Sequence, residues 1–186
     1  CRGQIKKTIF ALKHIQDVAL MKNEMESFGG ATLTGKAFRI EAYDIAHLSG
    51  KEVVGVMTVV ENGELKKSDY RKFKIRGLVG TVENVDVGNL KELLTRRLGH
   101  FEWQLPNLIV VDGGVAQING AKEILKNKGM DIDIVSVLKD ERHRAKEIIG
   151  EKGKISRFEK EILLVNSEAH RFAIAYHRKL RDKISS

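Results

Sequence analysis

The sequence predicts a mixed α/β domain in which three antiparallel strands are followed by strands that helices connect. Two observations lead to this fold class. Three strand-like segments follow one another over residues 38–75, with turn signals at Ser49-Gly50 and Asn62-Gly63. From residue 86 onward the apolar spacing becomes helical, and short apolar runs separate the helical segments.

The antiparallel part consists of three predicted strands. Residues 38–48 alternate in the manner of a strand, residues 51–60 are rich in valine, and residues 64–75 carry a polar and basic outer face. The Asn62-Gly63 hairpin signal lies between the second and the third of these segments. The sheet is therefore expected to begin as an antiparallel meander.

The later elements alternate between helix and strand, and the crossovers between the later strands must be right-handed. The order β-β-β-α-β-α-β-α is expected of a ribonuclease H-like fold, and another mixed α/β sheet is the alternative. The first expected helix covers 86–98, with Leu90, Leu93, Leu94 and Leu98 as its buried stripe. Strands are expected over 107–112 and 133–138, with a helix over 116–126 between them. A polar helix or loop over 140–149, a short strand or packed turn over 161–165 and a final helix over 167–183 follow.

Residues 1–36 and 37–186 are expected to form separate parts of the chain. Apolar residues recur at helical spacing near the start, which predicts a helix over 2–22, and glycines then indicate a linking loop. Residues 37–186 contain all of the predicted strands. Because the chain opens on Cys1 rather than on Met, we expect it to be a fragment of a longer protein.

Composition limits the classes of function. The chain has 186 residues, 42% of them hydrophobic and 31% charged, which is typical of a globular domain. The longest mostly apolar stretch, Val53 to Val60, is too short to span a membrane. The single cysteine, Cys1, excludes an internal disulfide and fits a reducing cytoplasm. The net charge of +8 favours an anionic partner, with nucleic acid first.

Asp44 and Asp112 are the first two candidate site residues. Asp44 is the only charge in the otherwise apolar row of the first strand, and a buried carboxylate is unfavourable unless it is paired or binds a metal. Asp112 ends an apolar run and precedes Gly113-Gly114, at a strand end where ligands gather in α/β sheets. The structural alternatives are backbone hydrogen bonds to Asp44, or burial of the other face, and a turn or helix cap at Asp112.

His170 is the third candidate, because it shares a helix face with His177 beside several basic residues. The alternative is a structural histidine in a solvated basic tail. In a ribonuclease H-like sheet, Asp44 and Asp112 would face each other at about 5 Å. Two close carboxylates repel unless a cation neutralises them, and oxygen ligands favour Mg²⁺ or Mn²⁺. Such a metal could activate water for attack on a phosphodiester, with His170 as a ligand or as a general acid or base.

Six segments in order carry a family resemblance: EAYDIAHLSG, SDYRKFKI, LLTRRLG, LPNLIVVDGGVAQING, LKDERHRAKEII and SEAHRFAIAYHRK. Together they resemble the C-terminal endonuclease domain of UvrC, the excision nuclease subunit of bacterial nucleotide excision repair. The resemblance covers most of residues 38–183. It implies a ribonuclease H-like fold, an incision on the 5′ side of a DNA lesion, and a catalytic triad at Asp44, Asp112 and His170.

The resemblance also implies an accessory acidic residue at Asp86. The family usually has two adjacent aspartates followed by a tyrosine, whereas this chain reads Asn84-Val85-Asp86-Val87. The usual serine before His47 is Ala46 here, which leaves the triad intact. Residues 2–15 are similar to the second half of the helical hairpin through which UvrC binds UvrB.

The expected partners are damaged double-stranded DNA and UvrB, with no membrane and no small-molecule substrate. Basic groups are expected to hold the phosphate backbone without reading its sequence. One alternative is a non-catalytic DNA-binding or partner-docking module with the same fold, and another is a different ribonuclease H-like nuclease. The candidate DNA-binding residues are Tyr70, Arg71, Lys72, Arg142, Arg144, Arg178 and Lys179.

Overall fold

The first two strands lie where the sequence predicts them, and both are buried over most of their length. The structure is a computed structural model that describes residues 37–47, 53–77, 85–140 and 145–184, which belong to the compact unit Ala37–Ser186. Strand β1 covers Arg39–His47 and strand β2 covers Val53–Glu61. The predicted helix over 2–22 lies outside the described residues.

The predicted third strand is interrupted. Strand β3 covers Glu64–Leu65, a short 3-10 helix covers Lys67–Asp69, and strand β4 covers Arg71–Ile75. Both strands pair antiparallel with β2. The hairpin turn before β3 has positive φ at Asn62 (52°) and Gly63 (86°), as expected for the two central residues of a type I′ turn.

The elements that follow alternate between helix and strand, as predicted for 86–98, 107–112, 116–126 and 133–138. They are α1 (Val85–Arg97), β5 (Leu108–Asp112), α2 (Val115–Asn127), β6 (Asp133–Lys139), β7 (Ala145–Ile149) and α3 (Lys152–Ile184). None of the helices in the described part of the chain is long and apolar enough to cross a membrane.

Two predictions in the C-terminal part are wrong. The polar helix or loop predicted over 140–149 contains strand β7, whose lysine and glutamate are exposed because it is the edge strand and pairs only with β6. The strand or turn predicted over 161–165 lies within α3, which begins at Lys152 rather than at 167. Ile162 and Val165 are buried at helical spacing, and a short apolar run does not distinguish that pattern from a buried strand.

The described strands form one mixed sheet in the order β3-β2-β1-β5-β6-β7, with β4 also paired to β2. Strands β1, β5 and β6 are parallel to one another, and the outer pairs are antiparallel. The two later crossovers therefore place the carboxyl ends of three neighbouring strands along one edge of the sheet.

Each face of the sheet packs against helices. Tyr43 and Val111 belong to the core that α1 and α2 cover, whereas Ala42 and Val110 belong to the core that α3 covers. This division follows from the alternation of side chains along a strand. Residues of even number on β1 and β5 therefore face α3.

A buried charged cluster holds β1 against α1. Glu41 is fully buried and accepts hydrogen bonds from Arg97 Nε at 3.0 Å and from Arg97 Nη2 at 2.8 Å. Arg39 Nε donates to the same carboxylate at 2.8 Å, and the hydroxyl of Tyr43 donates to it as well. Arg39 Nη1 also reaches Asp69 at 2.5 Å, which ties β1 to the 3-10 helix.

Glu41→Gln is expected to destabilise the protein strongly, because it leaves the fully buried guanidinium of Arg97 without its counter-charge. We expect a loss of about 3–5 kcal/mol in the free energy of unfolding, measured by urea denaturation. Glu123→Gln is the matched control, since Glu123 pairs with Lys91 on the surface, and should cost less than about 1 kcal/mol. Equal losses in the two variants would show that the Glu41 cluster contributes no more than a surface pair.

Gly55 of β2 allows α1 to pack closely on the sheet. A Cβ atom at Gly55 would lie 2.1 Å from Leu93 Cδ1, which is far inside van der Waals contact. Gly55→Ala is therefore expected to cost about 1–3 kcal/mol of stability. In a Leu93→Ala background the obstructing atoms are gone, so the same substitution should cost close to nothing. Additive losses in this double-mutant cycle would contradict the packing described here.

Candidate active site

Asp44 and Asp112 lie side by side on neighbouring parallel strands. The register pairs Ala42 with Val110 and Tyr43 with Val111, and the next step along both strands brings Asp44 beside Asp112. Both aspartates point toward α3, because they have the same parity as Ala42 and Val110. The structure thus brings together the two carboxylates that the sequence predicted to be neighbours.

His170 comes to the same place from α3. Ala169 and Ala173 are buried against the sheet, and their small side chains allow the helix to approach it closely. The Nδ1 atom of His170 lies 3.4 Å from Asp44 Oδ2. The side chain of His170 is 43% exposed, whereas that of Asp44 is 11% exposed. The imidazole therefore stands at the solvent side of the buried carboxylate.

Lys139 completes this group, and the sequence analysis missed it. It is the last residue of β6, and its Nζ donates to Asp112 Oδ2 at 2.8 Å. The signal that could have identified it is its position, because β6 lies next to β5 and ends at the same edge of the sheet. The site therefore contains two carboxylates, an ammonium and an imidazole.

The electrostatic setting of Asp44 is unfavourable for its charged form. Burial raises the pKa of the Asp44 carboxyl above its usual range, and the neighbouring charge of Asp112 raises it further. The charges of Lys139 and His170 act in the opposite direction. A cation placed between the two carboxylates would relieve both the desolvation and the repulsion.

The backbone after Asp112 requires glycine. Gly113 has a φ of 123°, which L side chains rarely adopt, and a Cβ atom there would lie 2.6 Å from Gln117 Cδ. The Ser136 hydroxyl donates to the Gly113 carbonyl, and the Gly114 N–H donates to Gln117 Oε1 at 3.0 Å. These contacts fix the turn that ends β5 and so fix the position of Asp112.

Asp86 does not join Asp44 and Asp112. It lies in the first turn of α1, and its Oδ1 accepts a hydrogen bond from His47 Nε2 at 3.1 Å. Both side chains are more than half exposed. Among the residues that the structure describes, no group of three or more histidine, cysteine, aspartate or glutamate side chains is spaced to hold a metal ion. The donors at Asp44 and Asp112 nevertheless fit a hard divalent cation, because they are adjacent oxygen ligands that repel each other.

The candidate DNA-binding residues fall on different surfaces. Lys72 lies against Phe172 and Tyr176 of α3, and Tyr70 donates from its hydroxyl to Glu168 Oε1 at 3.2 Å. Arg71 points to the other face of the sheet, where its guanidinium stacks 4.9 Å from the centre of the Trp103 ring. Arg178 and Lys179 are exposed on α3, and Arg142 and Arg144 lie outside the described residues.

Comparison with known proteins identifies the family of the chain. Residues 31–174 match the family model for the UvrC RNAse H endonuclease domain. The chain is 37% identical over 182 residues to UvrABC system protein C of Caldicellulosiruptor saccharolyticus, covering 94% of this chain and 28% of that protein. It is 38% identical over 200 residues to UvrABC system protein C of Clostridium botulinum, covering 95% of this chain and 32% of the relative.

A solved structure with a similar outline is endonuclease V of Ciona intestinalis in complex with DNA that contains an inosine. Its TM-score is 0.44 at 14% identity, and the match covers 78% of this chain and 66% of that chain. The present chain spans about a third of the length of the curated relatives that it matches. The match to the family model confirms the predicted ribonuclease H-like fold class. The chain belongs to the UvrC RNAse H endonuclease domain family.

Proposed function

We propose that this chain is a divalent-metal-dependent DNA endonuclease that hydrolyses a phosphodiester on the 5′ side of a lesion in nucleotide excision repair. The observation that supports the proposal most strongly is the pair Asp44 and Asp112, adjacent on parallel strands with His170 beside them. Two adjacent carboxylates, one of them buried, repel each other, and a bound divalent cation would offset that repulsion. Membership of the UvrC RNAse H endonuclease domain family also supports a nuclease activity.

Asp44, Asp112 and His170 would hold Mg²⁺ or Mn²⁺. The carboxylate oxygens are the hard ligands that these ions prefer. The chemistry that such an ion supplies when bound is polarisation of the phosphodiester and of the attacking water. Asp86 stays an accessory candidate, because its exposed side chain pairs with His47.

His170 and Lys139 have separate roles in this proposal. The Nδ1 atom of His170 lies 3.4 Å from Asp44 Oδ2, so the imidazole is placed to hold or move a proton beside that carboxylate. Lys139 balances the charge of Asp112, and its ammonium can stabilise the negative charge that develops on the phosphate.

The backbone of damaged double-stranded DNA would be held by Lys72, Arg178 and Lys179, with Tyr70 nearby. Arg71 contributes less, since it faces the other side of the sheet.

The proposed partners follow from the UvrABC system to which the relatives belong. Residues 1–36 would contribute to binding UvrB as part of a helical hairpin, and residues 37–186 would form the nuclease domain. A DNA-directed activity of this kind would operate in the bacterial cytoplasm. No small-molecule substrate and no membrane enter the proposal.

A second candidate function is a non-catalytic DNA-binding or partner-docking module. It is favoured by one observation: among the described residues no three possible ligands are spaced for a metal, and Lys139 already neutralises Asp112. The two candidates differ in what they predict for divalent ions, since a docking module has no need to bind them.

Single-turnover cleavage of a lesion-containing duplex, with the partner proteins supplied, tests the catalytic assignment. Asp44→Asn and Asp112→Asn keep the shape of the side chains but remove the charge that would hold the cation. Each is expected to lower the rate about 100- to 1000-fold, equivalent to a loss of about 3–4 kcal/mol of transition-state stabilisation.

The matched control for this experiment is Asp133→Asn. Asp133 begins β6, at the opposite end of that strand from Lys139, and pairs with Lys154 on the surface. The Asp133→Asn variant loses the same charge as the two site variants and should cleave the duplex at the rate of the parent chain. If Asp44→Asn and Asp112→Asn also cut like the parent, the catalytic assignment is wrong.

Mn²⁺ binding, followed by electron paramagnetic resonance without DNA, separates the two candidate functions. The parent chain and Asp133→Asn should bind Mn²⁺, and Asp112→Asn should bind it at least about 10-fold more weakly, because one of two hard ligands is lost. Lys139→Met should bind it more tightly, since the competing ammonium is absent. A parent chain that binds no Mn²⁺, even after DNA is added, would favour the docking module.

A further inference from the structure

Lys72 lies in the same row of the sheet as Asp44. Asp44 pairs with Val56 of β2, and Val56 pairs in turn with Lys72 of β4. Directly paired residues of neighbouring strands point to the same face, so Lys72 and Asp44 share the face that α3 covers. Two strand spacings separate them, which corresponds to about 10 Å between their backbones.

Two aromatic rings of α3 hold the Lys72 ammonium. Its Nζ lies 4.0 Å from the centre of the Tyr176 ring and 4.9 Å from the centre of the Phe172 ring. Cation–π contacts of this kind orient an ammonium without neutralising its charge. Within the described part of the chain, no carboxylate lies at ion-pair distance from Lys72. The ammonium is therefore positioned but electrostatically unsatisfied.

Lys179 brings a second positive charge to the same place. It follows Tyr176 by three residues on α3, so the two side chains lie on one side of the helix. Burial, and then the charge of Lys179, lower the pKa of the Lys72 ammonium. Two cations held near each other repel, and an anion bound by both removes that repulsion. A backbone phosphate has the charge and the oxygen acceptors for this position.

We infer that Lys72 and Lys179 form a phosphate-binding subsite for the strand that is cut at Asp44 and Asp112, displaced toward β4 from the scissile phosphate. The identity of that strand rests on the proposed function. A separation of about 10 Å between the two strand positions places this phosphate within a few nucleotides of the cut along the same DNA strand. The subsite positions the strand and takes no part in breaking the bond.

The salt dependence of DNA binding tests the subsite without requiring cleavage. The probe is a fluorescein-labelled duplex in EDTA, and anisotropy gives the association constant over a series of KCl concentrations. Lys72→Met keeps the aliphatic stem between the rings but removes the charge. It should weaken binding several-fold and reduce the slope of log K against log[KCl] by about 1, as expected for one lost phosphate contact. Lys72→Arg should keep the parent slope.

Lys126→Met is the control for net charge, because Lys126 is exposed on α2, on the other side of the sheet. Lys179→Met is a second test at an exposed position, where folding is not at risk, and should also reduce the slope. In a duplex with a lesion at a fixed place, one neutral methylphosphonate is moved along the strand. At the position that faces the subsite it should weaken binding by the parent and leave binding by Lys72→Met unchanged.

The subsite does not exist if Lys72→Met and Lys179→Met change the slope no more than Lys126→Met does. A parent chain that does not bind the duplex leads to the same conclusion. A chain that shows the expected slope changes but never cuts DNA supports the subsite and contradicts the proposed function, so the two failures are distinguishable.

Discussion

The parallel pairing of β1 with β5 is the constraint on which the site depends. It places Asp44 beside Asp112, in a position where burial and mutual repulsion both oppose their negative charges. No local preference of either strand favours that arrangement. The rest of the fold must supply the free energy that holds the two strands in register, and Lys139 and His170 offset part of the unfavourable charge.

Strand β1 carries out two tasks on its two faces. Glu41 points toward α1, where arginine side chains satisfy it completely and anchor the strand. Asp44 points toward α3, where its carboxylate contacts His170 Nδ1 at 3.4 Å. The same alternation of side chains thus produces a structural charge that is fully paired and a second charge that is available for a ligand. Well-packed residues surround both, so that the strand cannot slide by one residue without exchanging the two roles.

Local patterns were sufficient to predict much of this arrangement. Asp44 interrupts an apolar row, and Asp112 ends a buried strand, so both could be identified from their own segments. The order of elements then predicted that they would be neighbours. The alternation also separates Arg71 from Lys72, which face opposite sides of the sheet.

The remaining features depend on residues that are far apart in sequence. Strand β7 is an edge strand whose charged residues conceal its pattern, and an apolar run inside α3 resembles a strand over a few residues. Lys139 and Asp112 are separated by 27 positions, and Arg97 and Glu41 by 56, so neither contact leaves a local signal. Such contacts can be identified only from the three-dimensional structure, in which the strands of the sheet bring these residues together.

The most direct test of the account is a crystal structure of the chain soaked in MnCl₂, with data collected at a wavelength where manganese scatters anomalously. The account predicts an anomalous peak coordinated by both Asp44 and Asp112, near His170, with the Lys139 ammonium moved away from Asp112. An anomalous map with no peak between the two carboxylates, at a concentration where Mn²⁺ occupies other surface carboxylates, would contradict it.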